Sequence, residues 1–144
     1  MADSNGDARV CSSYLGRVRI SLSCLKASSK HRGISRANVD RLKRIFSHEG
    51  CLRTDGENFL PCVIDPETLR VALELSSLTS QKIRFCDEAC LPPPLTLPAN
   101  ARLECLHGQH RLLAAKEYLD ERDQWWIVNL YNEGELLRRL RLNF

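Results

Sequence analysis

The sequence predicts a small mixed α/β domain, and three observations lead there. Strand-like and helix-like segments alternate along the chain in the order β-α-β-α-loop-β-α-β-α. A length of 144 residues with 43% apolar and 27% charged side chains suits one globular domain with a core of its own. The apolar run Leu103-Glu104-Cys105-Leu106 gives way at Gly108 to a segment with Leu112, Ala115 and Leu119 at helical spacing, an abrupt strand-to-helix switch.

Taken in order, residues 1–16 are polar and aperiodic and are expected to be a flexible tail. Residues 18–25 alternate apolar and polar side chains, as a half-buried strand does. A polar loop follows, carrying Lys30, His31 and Arg32. Ser35 suits an N-cap, Val39, Leu42, Ile45 and Phe46 form an apolar helix face, and Gly50 ends that helix. Residues 59–65 form a short strand; Pro61 predicts that it lies at an edge or begins only at Cys62. Asp65-Pro66-Glu67 opens a second helix with cap, first-turn proline and acid in the favoured places. From Ser76 to Asn100 no period holds, and Pro92-Pro93-Pro94 with Pro98 predicts a stiff, extended connector. After the 103–106 strand and its helix, a turn at 120–123 leads to a strand over 125–131. A last amphipathic helix starts at Glu133 and reads as cut short. The expected division is therefore tail 1–16, domain 17–132, and the start of a C-terminal helix over 133–144.

Composition narrows the function classes. A net charge of +3 is far below the basic footprint of a dedicated DNA-binding domain, so nucleic acid is allowed rather than indicated. No apolar run approaches the about 20 residues that span a bilayer, and the polar start lacks the blocks of a signal peptide. No membrane partner and an intracellular location, cytoplasmic or nuclear, are expected. The seven cysteines form an odd set, expected to be reduced, with Cys24, Cys62 and Cys105 as buried thiols inside apolar segments. Cys86 and Cys90, with Cys105 and His107, supply enough donors for zinc. Their spacing is not that of a finger, and no metal site is expected.

The chemistry concentrates at His107-Gly108-Gln109-His110-Arg111. A glycine at a strand-to-helix turn lets backbone approach a ligand, and the first helical N–H groups and the helix dipole favour an anion. His110 and Arg111 would add charge-assisted donors to the same oxygens. Gly108, Gln109, His110 and Arg111 are therefore the expected phosphate cradle, with Arg32 as a second basic arm. Glu104, beside the motif, is the weak catalytic candidate, able to hold a metal or to orient Arg111. Adjacent residues of a strand point to opposite faces, so one of Trp125 and Trp126 belongs to the core and the other to a rim that could stack on a base.

These residues carry a resemblance. The strand at 103–106, the run Gly108-Gln109-His110-Arg111-Leu112-Leu113-Ala114-Ala115 and the strand at 125–131 resemble the ParB/sulfiredoxin-like superfamily, and the strand-helix-strand order upstream agrees with it. More closely, Glu104 to Arg111 with the Trp125-Trp126 strand looks like a fungal uncharacterised family found among mobile-element cargo proteins, whose members are usually longer. The resemblance implies a ParB/sulfiredoxin-like fold, a small mixed sheet with flanking helices. It also implies a phosphate site at 108–111 that takes a nucleoside triphosphate with Mg²⁺, or DNA. Sulfiredoxins place a nucleophilic cysteine after the motif glycine, where this chain has Gln109, so their chemistry is not expected. The partitioning proteins add a helix-turn-helix reader that these residues do not contain. The expected function is nucleotide- or nucleic-acid-phosphate binding. The alternatives are a metal-dependent ParB-like nuclease using Glu104 and a degenerate interaction module, whose protein partner the sequence does not name.

Overall fold

The computed structural model describes residues 13–27, 33–50, 53–86 and 90–134. Within them the strands are β1 (Tyr14–Ser21), β2 (Leu25–Ala27), β3 (Leu60–Ile64), β4 (Leu103–Cys105) and β5 (Trp125–Asn132). The helices are α1 (Arg36–Glu49), α2 (Pro66–Ser76), α3 (Ser80–Arg84) and α4 (Gln109–Tyr118). The strands form one mixed sheet in the order β1-β5-β3-β4-β2. β1 pairs with β5 and β3 with β4 antiparallel, while β3 with β5 and β2 with β4 run parallel. The α/β fold expected from the sequence is the fold observed. No helix among the described residues is long and apolar enough to cross a membrane.

The sheet cannot be flat. β1 and β2 stand at opposite ends of the strand order, yet only the three-residue 3-10 turn Leu22–Cys24 joins them. Four Cα steps reach at most roughly 14 Å, whereas the outer strands of a flat five-stranded sheet lie about 19 Å apart. The sheet therefore curls until β1 and β2 become two parts of one bent strand. Arg17, Arg19, Asn129, Glu104 and Lys26 share one face by register, and no tight curl has room for them inside. The curl therefore wraps the other face, lined by Val18, Ile20, Trp126, Val128, Leu130, Leu60, Cys62, Leu103 and Cys105.

All four helices join that buried face in one core. Phe46 of α1 packs on the fully buried Trp126, whose indole N–H donates to the Asn58 carbonyl at 2.9 Å. Leu69 and Ala72 of α2, Ile83 of α3 and Leu112, Ala114 and Ala115 of α4 complete it. Within it the Cys62 and Cys105 thiols, cross-strand neighbours on β3 and β4, lie 3.3 Å apart. A hydrogen bond to Cys105 and burial both push the Cys62 thiol well above its ordinary pKa, so it stays protonated and acts as core.

Four features depart from the expectations. The strand expected over 18–25 begins at Tyr14, taking in residues assigned to the tail, and breaks at the 3-10 turn because the chain must cross from β5 to β4. Pro61 sits in a central strand, not at an edge or before the strand start. Its carbonyl accepts from Leu106 N–H at 2.8 Å, and the reciprocal bond to the Leu106 carbonyl, which a proline cannot give, falls at the very end of the β3–β4 ladder, so one terminal bond is forgone. Helix α3 lies where no period was found; Thr79 caps it by accepting from Lys82 N–H, and it buries only Ile83. The connector after it runs beside β1, with Arg19 N–H donating to the Pro93 carbonyl and Leu95 N–H to the Arg19 carbonyl. Of the helix expected from Glu133, residues 135–144 lie outside the described residues, as do residues 1–12 of the tail.

Gly16 makes the junction of β1 and α3. Its φ is +149°, and a Cβ there would stand 2.7 Å from the Ile83 carbonyl carbon, a backbone atom that cannot swing away. Gly16→Ala is expected to cost about 1–3 kcal/mol, from forced separation of strand and helix plus backbone strain. Urea unfolding followed by circular dichroism measures this; wild-type stability in the variant would disprove the packing described.

Candidate functional site

The motif lies where β4 ends and α4 begins. Gly108 is the N-cap of α4 with φ +87° and ψ 24°, a left-handed conformation that favours glycine. A second constraint comes from the core: a Cβ on Gly108 would stand 2.6 Å from Leu60 Cδ2. The missing side chain therefore makes room for β3, not for a ligand. The glycine permits the turn, and the turn sets the open end of α4 beside the start of β3.

His110 ties that end to a second helix. Its Nε2 accepts from the backbone N–H of Ser35 at 2.9 Å, so Nε2 carries a lone pair and the ring proton sits on Nδ1. Ser35 is the N-cap of α1, and its hydroxyl accepts from Asn38 N–H. At the far end, Tyr118 of α4 meets Phe46 of α1 edge to face at 5.7 Å. The two helices thus run in the same general direction with their N-termini together. Between them Glu117 accepts from Arg36 and from Lys43, the latter at 3.1 Å. The hydrogen bonds from Arg36, then from Lys43, bring its carboxyl from 4.5 down to about 2.

Parallel helices put like poles together, about +0.5 of a charge at each N-terminus. A third helix shows how this chain neutralises such an end. At α2 the Asp65 carboxylate accepts from Glu67 N–H and Thr68 N–H, Pro66 removes a donor, and Glu67 adds an acid in the first turn. At α4 the N-cap is Gly108, which has no side chain to cap the first turn, and neither α4 nor α1 has an acid in its first turn. Arg111 adds a full charge. Its guanidinium folds back toward the N-cap, with NH1 3.9 Å from the place of a Gly108 Cβ. It is half-buried and has no hydrogen-bond or ion-pair partner among the described residues.

The remaining candidates lie elsewhere. Glu104 pairs in register with Val63 and Lys26 on the outward face of the sheet, and lines a cavity that includes none of Gly108, Gln109, His110 or Arg111. Arg32, like Lys30 and His31, lies outside the described residues. Trp126 is the core tryptophan and Trp125 the rim one, as the alternation implied, but Trp125 is already engaged. The Arg53 guanidinium stacks 3.5 Å from its ring centroid, the Arg19 guanidinium lies at 5.6 Å, and its indole N–H donates to Asp123. Among the described residues no three His, Cys, Asp or Glu side chains gather as a metal site would need. The Ser35–His110 link and the pairing of the two helix starts were invisible in the sequence, because they join residues 75 positions apart.

Comparison with known proteins gives one family match. Residues 13–144 match the family described as "Protein of unknown function (DUF3723) N-terminal domain". No curated protein and no solved structure matches the chain.

Two outcomes test this geometry. His110→Ala removes the acceptor for a half-buried backbone N–H and should destabilise the domain by about 1 kcal/mol. Arg111→Ala breaks no hydrogen bond or ion pair among the described residues and should stay within about 0.5 kcal/mol of wild type. Chemical denaturation of both variants measures the contrast, and equal losses would show that Arg111 is structural. Glu117 provides the second outcome. Its carboxyl titrates lower in the fold than its ordinary 4.5, so the stability it adds is complete above that value and is lost as pH falls toward about 2. Acid titration of Glu117→Gln should lack that component.

Proposed function

The chain belongs to the family of DUF3723 N-terminal domains, and we propose that it is a phosphate-binding domain of the ParB/sulfiredoxin-like kind. It holds the phosphates of a nucleotide or of a nucleic acid at the start of α4. The observation that carries this reading is the pair of helix N-termini joined by His110 and Ser35, uncompensated by any first-turn acid and flanked by Arg111, which has no hydrogen-bond or ion-pair partner among the described residues. Placing two like poles together without a counter-charge is unfavourable until an anion arrives.

Each motif residue has a role in this reading. Gly108 sets the turn, and the N–H groups of Gln109 and His110 face the phosphate oxygens. Arg111 supplies a forked, permanently charged donor suited to those oxygens. His110 uses Nε2 to hold α1 and leaves Nδ1–H to donate. Where the ligand is a nucleoside triphosphate, Mg²⁺ arrives with it and offsets part of the phosphate charge. The role proposed is binding rather than turnover. A metal-dependent nuclease has less support, since Glu104 and the helix start belong to different parts of the surface.

A thermal-shift panel of ATP, CTP, GTP, UTP and a short DNA, each with Mg²⁺, tests the proposal. At about 100 times its dissociation constant a ligand adds about 2.7 kcal/mol, a rise of several degrees for a domain of this size. At least one ligand should raise the midpoint of the wild type, and Arg111→Ala should lose that rise while remaining folded. No shift in any well would overturn the proposal and leave a domain that interacts by other means.

A further inference from the structure

A cavity of about 220 Å³ opens on the outward face of the sheet, away from the helix starts. Its floor follows from strand register. Lys26, Glu104 and Val63 sit side by side on β2, β4 and β3. Arg102, Asp65 and Glu133, at the ends of β4, β3 and β5, complete the charged wall. The cations therefore stand toward β2 and β4, and the carboxylates extend from β4 toward β5.

These charges do not satisfy one another. Lys26 and Glu104 are direct cross-strand neighbours of opposite sign, a placement that ordinarily forms a pair. No ion pair or hydrogen bond joins them, and among the described residues neither Lys26, Arg102 nor Glu104 has another partner. Asp65 differs, because its carboxylate is spent on the α2 N-cap. Open cations and open carboxylates on neighbouring strands, about 4.8 Å apart, fit a ligand with both signs at short separation.

We propose that this cavity binds a zwitterion of amino-acid size. The ligand carboxylate lies toward Lys26 and Arg102 and its ammonium group toward Glu104 and Glu133, and Val63 offers an apolar floor between those two carboxylates. The site is independent of the phosphate cradle and needs no phosphate.

Isothermal titration of the folded domain with the individual free amino acids tests this, at up to about 10 mM, where even a dissociation constant of about 1 mM is detectable. At least one amino acid should bind. Its N-acetyl and carboxamide derivatives, each lacking one charge, should bind about tenfold more weakly or worse. A dipeptide with the same N-terminal residue distinguishes the sources: weaker binding marks a free amino acid, and equal binding marks a peptide end. Lys26→Gln and Glu104→Gln, isosteric changes at surface positions, should each weaken binding by about tenfold, and Arg111→Ala should leave it unchanged. The proposal is overturned if no amino acid binds, if the singly charged derivatives bind as well as the parent, or if both cavity variants bind like wild type.

Discussion

The three residues between β1 and β2 govern the rest of the molecule. A link that short forbids a flat sheet, and a curled one must choose which face to enclose. Polarity makes that choice, because Arg17, Arg19, Asn129 and Glu104 cannot be packed inside while Val18, Trp126, Leu130 and Cys62 can. Val18 and Leu130 each contribute about 1.5–3 kcal/mol when removed from water. The helices then have one apolar surface to join, and their positions follow from where the connections leave the curl. Chains leaving β2 and β4, which run parallel, start α1 and α4 at the same end.

That common end is why one short motif carries so much of the surface chemistry. Two helix starts meet there, and the sequence places its acids elsewhere: Asp65 and Glu67 on α2, Glu117 near the C-terminal end of α4. The Glu117 cluster is exposed and adds little to stability, but it fixes how the two helices lie, and with them the spacing of their starts. His110 does the same at the N-terminal end. The positive pole is therefore held in place by contacts that do not neutralise it.

Much of the fold could be read from the chain because its signals are local. Ser35 and Gly50 mark the ends of α1, and Asp65-Pro66-Glu67 marks the start of α2. Gly108 starts α4, and the alternation through Trp125 and Trp126 gives β5 with the correct residue buried. What escaped was non-local or too short to show a period. Helix α3 has five residues and buries one of them. Pro61 stands in a central strand opposite the end of β4, where a single terminal ladder bond is forgone, and nothing near Pro61 in the sequence reveals this. The site was legible to the same extent. Its residues stand together at a helix start, but the commitment of His110 Nε2 to Ser35 and the distance of Glu104 from the motif depend on contacts across the fold. Gly108 shows the limit most clearly, since one residue answers both to a left-handed turn and to the crowding of Leu60.

The proline connector has a consequence for how copies of this domain behave in crowded solution. A long outer strand usually offers a row of unpaired backbone groups to any passing strand, an invitation to polymerise. At the middle of β1 that invitation is withdrawn, because the Arg19 amide and carbonyl are taken by Pro93 and Leu95. Pro94, between them, has no N–H to offer a newcomer. The opposite strand, β2, is three residues long and gives little to grip. Residues 93–95 thereby act as a guard against strand-to-strand aggregation.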